Sequence, residues 1–370
     1  MKITTDYPGG NCKLISITEE NGKTVVNLEQ ELRDTSDWWF YWNFRVDNPP
    51  EGEVIFAFHN KDVVCSHGPA TSTDAKNWEW CEEKSFIDHT HFRYVFSENE
   101  PSRYFCFTIP YLTADFELFY EKIKNDSAIT RSVLTESEKG RQLPLLTFGN
   151  GKRDILFTAR HHCCESTASY VLDGVISSIL EKHRELLDSF RFHIVPFTDI
   201  DGVEQGDQGK NRAPHDHNRD YTEEPIYNYT KAIYKYSENF DLACFIDFHS
   251  PWSWGGANDE PHIHFGPSVE PTPDLQELFS EILNKITVSD SRNIIRYNCV
   301  TTHYGDNANH LDTPNSKNFF KFKRKSNIAF TVETPYSGNL KNGYTVSQLH
   351  IFGEHIAQAL SECLNHPELD

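Results

Sequence analysis

The sequence predicts an α/β domain, its mixed and mostly parallel sheet flanked by helices, preceded by a small antiparallel β-sandwich. Three observations carry this expectation. Short aromatic and β-branched runs separated by Gly, Pro, Asn and Asp fill residues 1–110, as strands and turns do. Over residues 111–370, apolar runs of strand length alternate with stretches of helical period, the pattern of helices packed on a parallel sheet. A chain of 370 residues is also too long for one ordinary domain, at about 150 residues each. Two domains are expected, 1–110 and 111–370.

In the first segment, residues 38–46 are aromatic and β-branched and stop at Asn48-Pro49-Pro50. Runs at 54–58, 92–96 and 104–109 follow in the same style. In the second, 115–124 reads as a helix. Residues 155–159 are continuously apolar, as a strand buried on both faces should be. Val171, Leu172, Val175, Ile176, Ile179 and Leu180 form one stripe of a helix over 167–182. A strand at 192–197, a helix at 226–236 and a buried strand at 242–248 come next. A helix at 275–286 and a strand at 328–332 follow. The last helix carries Val346, Leu349, Phe352, Ile356 and Leu360.

The charge balance, 35 Lys+Arg against 55 Asp+Glu or −20, argues against partners held by phosphate neutralisation, so no nucleic acid and no anionic membrane is expected. With 38% hydrophobic and 13% aromatic residues, a disordered chain is excluded as well. No apolar run nears the roughly 20 residues of a membrane span, and Met1-Lys2-Ile3-Thr4-Thr5-Asp6 has no export-signal character. Nine scattered cysteines without a CxxC pair suit a reduced compartment. A soluble cytoplasmic protein is expected, with nothing to specify an oligomeric state.

In open α/β sheets, functional groups gather past the carboxyl ends of strands. Here the 155–159 strand runs into His161-His162-Cys163-Cys164-Glu165, the 242–248 strand into His249, and the 328–332 strand into Glu333. Two imidazoles, a carboxylate and an open position make a catalytic zinc site, and His162, Glu165 and His249 supply that set for one Zn2+ ion. The ion would acidify a water and polarise a carbonyl, with Glu333 as the general base. Between these strands lies Gly209-Lys210-Asn211-Arg212, then Asp216-His217-Asn218-Arg219. Arg219 offers a planar fork for a carboxylate, with donors added by Asn218. Arg212 would sit nearer the metal and stabilise an oxyanion, and Asp216 would orient a metal-bound imidazole. A charged surface loop would look the same in sequence.

HxxE at 162–165, GKNR at 209–212, DxNR at 216–219, His249 and TxE at 331–333 stand in the chain order of the M14 zinc metallocarboxypeptidases. The region from Tyr111 onward resembles that family's catalytic domain. The region before it, with Phe44-Arg45-Val46, Trp78 and Phe107-Thr108-Ile109-Pro110-Tyr111, is similar to the β-domain of its cytosolic carboxypeptidase subfamily. The resemblance implies a carboxypeptidase-like fold and hydrolysis of the C-terminal residue of peptides or proteins. By position it makes His162, Glu165 and His249 the zinc ligands and Glu333 the base. Arg212 becomes the carbonyl-polarising arginine, Asn218 and Arg219 the grip on the substrate's terminal carboxylate, and Asp216 the partner of a ligand imidazole. Tyr304 is the candidate for the family's substrate-binding loop tyrosine, although an ordinary loop aromatic fits equally.

Several positions stay open. His161 is an alternative ligand, but only His162 keeps the HxxE register. Cys163-Cys164, where the family often has Pro-Gly, reads as two small buried residues or as a thiolate beside the metal. Lys317, Lys321, Lys323, Arg324 and Lys325 read as a solvated turn, or as the source of one inward cation favouring an acidic C-terminal residue. Trp252, Trp254 and Gly255-Gly256 would line a cleft or cap the sheet edge. Two other functions compete: a zinc amidohydrolase acting on small N-acyl amino acids or peptidoglycan peptides, and a non-catalytic binding module.

Overall fold

The computed structural model describes residues 1–37, 39–252, 256–265, 275–292, 294–297, 303–304, 312–338 and 343–365. Two five-stranded sheets come from the first 106 residues. One runs Lys2–Thr4, Asn43–Asp47, Ser102–Cys106, Ala70–Ser72, Glu79–Trp80. The other runs Lys13–Glu20, Lys23–Glu29, Gly52–Phe58, His91–Phe96, Phe86–Asp88. All pairings are antiparallel except Lys23–Glu29 with Gly52–Phe58. Alternate side chains of a strand face opposite sides, so Phe44, Phe56, Phe92 and Phe105 all turn inward and are fully buried. Phe56 and Phe92 stack with centroids 4.7 Å apart.

The rest builds an eight-stranded mixed sheet ordered Ile129–Glu136, Gln142–Phe148, Phe190–Val195, Arg153–Ala159, Leu242–His249, Ile328–Glu333, His262–Phe265, His303–Tyr304. The four middle strands, from Phe190–Val195 to Ile328–Glu333, are parallel neighbours. Their apolar runs are buried on both faces because helices cover the sheet. Ser166–Lys182 packs against Val346–Leu364 so closely that Gly174 and Gly353 are required. A Cβ on Gly174 would lie 2.3 Å from the His350 carbonyl oxygen, and one on Gly353 2.2 Å from that of Val171. The expected helices and strands are present to within a few residues, except that the strand in the 38–46 run begins only at Asn43. The Ile129–Glu136 and Gln142–Phe148 hairpin, at the sheet edge, was not expected. No described helix is long and apolar enough to cross a membrane.

Register sets the site. Arg153–Ala159 and Leu242–His249 stay paired through Ala159 and Phe248, and His249 sits opposite Glu333 on the adjoining parallel strand. The order of the sheet reverses at Arg153–Ala159, whose two neighbours come later in the chain and lie on opposite sides. That is where an open α/β sheet forms its crevice.

The two halves meet over the loop at 206–213. Asn11 Nδ2 donates to the Gly206 carbonyl at 2.7 Å. Gln208 brackets the Tyr41 backbone, accepting from its N–H at 2.9 Å and donating to its carbonyl at 2.7 Å. Ser36 N donates to Asn211 O at 2.8 Å and Ala213 N to Asp34 O at 2.9 Å.

Candidate active site

His162, Glu165 and His249 converge, with ligand atoms all within 4.8 Å of one another. His162 Nδ1 lies 2.9 Å from Glu165 Oε1 and 3.1 Å from His249 Nδ1, and His249 Nδ1 lies 2.7 Å from Glu165 Oε2. All three side chains are buried. Glu165 precedes the Ser166–Lys182 helix, so the strand-to-helix turn folds it back toward His162.

The other face of His249 is held by Asp247, whose Oδ2 lies 2.8 Å from Nε2. Asp247 also accepts from Thr158 Oγ1 at 2.8 Å and Ser316 Oγ at 2.5 Å, and lies 2.9 Å from His161 Nδ1. His161 is therefore turned to Asp247 and to Tyr221, whose hydroxyl is 2.8 Å from Nε2. His161, Asp247 and His249 form a second convergent group, but it would use the His249 nitrogen that Asp247 already occupies. Asp247 was missed from the sequence because it lies inside an apolar run. Its one signal was its place two residues before His249, on the same face of the strand.

Charge favours a dication here. Burial opposes ionisation of Glu165, Asp216 and Asp247, yet neighbouring imidazoles hold all three carboxyls below the usual range; Lys210 assists at Glu165 and Arg219 at Asp216. Burial likewise opposes a charge on His249, but Asp247 and Glu165 push its imidazole well up. Two nitrogens and a carboxylate facing one point, with His249 fixed from behind by Asp247, fit zinc. His162 Nε2 faces Asp216 Oδ1 at 3.6 Å, and neither atom has a hydrogen-bond partner among the described residues.

Glu333 stands beside this cluster. Burial raises its carboxyl, with Glu165 adding to the effect against His249, Lys210 and His162. Its Oε2 is buried without a hydrogen-bond partner among the described residues. Asn218 Nδ2 lies 3.3 Å from His249 Nε2, and its Oδ1 accepts from Ser316 N at 2.9 Å. Arg219, half-buried, donates from Nη1 to the Asn218 carbonyl at 2.9 Å.

Arg212 makes its contacts elsewhere. Its guanidinium is not aimed at the cluster but enclosed by three carboxylates: Nε donates to Asp34 Oδ2 at 2.9 Å, Nη1 bonds Asp199, and Nη2 lies 3.3 Å from Asp207 Oδ2. The physical reason is local. Asn211 adopts φ +47°, and Arg212 bridges through its backbone to Thr35, which leaves its side chain among Asp34, Asp199 and Asp207.

Neither thiol belongs to the convergent groups found among the described residues. Cys163 Sγ donates to Asp207 O at 3.0 Å and Cys164 Sγ meets the Tyr336 hydroxyl at 3.4 Å. Burial keeps both protonated, pushing Cys164 up to about 12 and Cys163 well above its ordinary value. Of the basic cluster, Lys317 is the inward member, 2% exposed, while Lys323 and Lys325 lie at the surface. Its Nζ donates to Phe265 O at 3.2 Å. Trp252 packs edge-on against Trp39 and Phe40 at 5.1 and 5.0 Å. Tyr304 pairs through its backbone with Phe265; its side chain, like Trp254 and Gly255, lies outside the described residues.

Known proteins share this fold. A metallo-carboxypeptidase from Burkholderia cenocepacia shares the fold with a TM-score of 0.82 at 17% identity, covering 98% of both chains. A metallo-carboxypeptidase from Pseudomonas aeruginosa, solved in complex with (2-guanidinoethylmercapto)succinic acid, gives 0.79 at 20% identity and 100% of both. Cytosolic carboxypeptidase 6 of Mus musculus is 29% identical over 198 residues, which is 45% of this chain and 36% of the mouse protein. An uncharacterised protein of Zymomonas mobilis is 23% identical over 99% of this chain and 97% of its own length. Residues 118–358 match the zinc carboxypeptidase profile, well over half of the sequence, and the chain accordingly belongs to the zinc carboxypeptidase family, peptidase M14, a family of zinc-dependent hydrolases.

Proposed function

We propose that this protein is a cytoplasmic carboxypeptidase that removes the C-terminal residue of peptides or proteins, with residues 1–110 as a domain bracing its catalytic half. The observation that carries this reading is the meeting of His162, Glu165 and His249 at the ends of neighbouring strands, with Glu333 in register beside His249. Zinc held by these three residues would supply Lewis acidity toward the scissile carbonyl and a water molecule. Glu333 takes a proton from that water as its oxygen attacks the carbonyl carbon. It then returns the proton to the amine as the C–N bond breaks. A carboxyl raised by burial is suited to both halves of this exchange. Asp216 and Asp247 orient His162 and His249 from behind. Asn218 and Arg219 grip the terminal carboxylate, so that only the last peptide bond reaches the cluster. Eight described cysteines are free thiols, which supports a reducing compartment.

The grip yields a test. A peptide with a free C-terminal carboxylate is cleaved at least 100-fold faster, in kcat/KM, than its C-terminal amide, because a charge-assisted pair with Arg219 is lost (about 1.5–3 kcal/mol per bond). Equal rates, measured by mass spectrometry of the released residue, would point instead to a small-molecule amidohydrolase.

Lys317 supports a preference for an acidic C-terminal residue. Burial lowers its amine to about 7, against the pull of Glu333 and Asp247. The buried amine is charged below that value and neutral above it, so it attracts a substrate carboxylate only on the acid side. By the same linkage, its burial costs stability below pH 7, and that cost fades as pH rises toward the ordinary lysine value. The ratio of kcat/KM for C-terminal Glu over Gln is expected to fall from pH 6 to pH 8. In Lys317→Met the ratio is small and flat with pH; an unchanged profile in that variant would remove Lys317 from the specificity pocket.

A further inference from the structure

The loop at 209–212 carries two cations and points them in different directions. Gly209 has φ +79°, and a Cβ there would lie 2.5 Å from Cys163 N and 3.0 Å from His162 Cα. The loop backbone is thus pressed directly against the residues that carry the first ligand. Lys210 leaves that contact toward the cluster, its Nζ 3.8 Å from Glu165 Oε1 and 5.2 Å from the centre of the Trp39 ring. Thr35 Oγ1 donates to the Lys210 carbonyl at 2.9 Å, tying its backbone to the N-terminal segment. Arg212, two residues on, is taken up by Asp34, Asp199 and Asp207.

The ammonium is well placed and not locked. At 3.8 Å from Glu165 it lies beyond the 2.7–3.2 Å of a hydrogen bond, so its donors stay available to an incoming group. A side chain 24% exposed keeps contact with the open side of the site. Its charge reaches Glu165, Asp216 and Glu333 alike. The indole face beneath it favours a cation and limits where a flexible lysine can go.

We propose that Lys210, seated on Trp39, is the cation that neutralises the scissile carbonyl oxygen as it becomes an oxyanion. This rests on the carboxypeptidase reading and assigns to Lys210 the part that resemblance gave to Arg212. A lysine acts as a single point charge where an arginine forms a fork, so the interaction is electrostatic and tolerant of geometry.

The test uses the zinc-loaded full chain and the variants K210A, K210R and R212K, the last in place of an alanine that would strand buried acids. Three quantities are measured: zinc content by elemental analysis, kcat and KM on a peptide, and calorimetric affinity for a phosphinate peptide mimicking the tetrahedral anion. K210A is expected to keep its zinc and its KM within about threefold, and to lose about 10²–10³-fold in both kcat and phosphinate affinity. K210R recovers most of each, and R212K binds the phosphinate as the wild type does. The proposal is overturned if K210A binds the phosphinate normally, if it loses zinc and so acts only through Glu165, or if R212K is the variant that loses phosphinate affinity. Calorimetry needs no turnover, so wild-type protein that binds the phosphinate but releases no C-terminal residue sinks the proposed activity while the K210A comparison still decides the site of charge.

Discussion

Glu333→Gln lowers kcat by about 10²–10⁴-fold and leaves zinc in place. The glutamine matches the glutamate in size and sits at the end of Ile328–Glu333, where pairing with Leu242–His249 fixes the backbone. Glu333 is not one of the three converging ligands, so the donor set is intact in the variant. What disappears is proton transfer: an amide can neither take the proton from water nor return it to the amine. Glu333 Oε2 is buried without a hydrogen-bond partner among the described residues, and Oε1 lies 3.9 Å from His264 Nε2, beyond hydrogen-bond length, so the change breaks no hydrogen bond of this carboxyl among them. Steady-state kinetics beside elemental analysis separates the outcomes. Full activity with normal zinc would eliminate Glu333 as the base, whereas lost zinc would make it part of the donor set.

Arg212→Ala destabilises the fold by about 3–5 kcal/mol, the cost of stranding buried charge when one partner of an ion pair is removed. Burial opposes the charge on Arg212, but Asp199 and its neighbours hold the guanidinium above its ordinary range. Asp199 is itself 3% exposed and caps the helix Ile200–Gln205 through the Gly202 N–H. At roughly 2 cal/mol/K of unfolding entropy per residue, such a loss lowers Tm by about 5 °C. Combining Arg212→Ala with Asp199→Asn should cost less than the sum of the two single changes, since the stranded acid is then neutral. Thermal unfolding of the four proteins gives the comparison. A variant with unchanged Tm and greatly reduced phosphinate affinity would return Arg212 to the chemistry.

Much of the site was legible because the sheet made it so. Strands buried on both faces cannot alternate, so 155–159 and 242–248 stood out as continuous apolar runs, and the polar residues at their ends marked the crevice. Edge strands leave no such trace: Ile129–Glu136 is mostly exposed and reads as a polar stretch. The hairpin of Lys13–Glu20 and Lys23–Glu29 did carry a signal, Asn21-Gly22 with both φ positive, the usual pair for a two-residue turn. The aromatic runs after it drew the expectation elsewhere. Asp247 was hidden because one carboxylate in an apolar run looks like noise until His249, two residues on, gives it a partner. The order of Lys210 and Arg212 within GKNR says nothing of which faces the ligands. That depends on left-handed backbone at Gly209 and Asn211, and on acids from residue 34 that no local spacing connects to residue 212.

The bonds between the N-terminal sheets and the 206–213 loop have a practical consequence. Anyone trimming this protein to a minimal peptidase would naturally cut near residue 110. The excised half would keep every ligand, yet lose Asn11, Asp34, Thr35, Trp39 and Tyr41, which act on the loop as a splint. Such a fragment would hold metal in a crevice with one slack wall, and miniaturisation would have to graft the splint along with the enzyme.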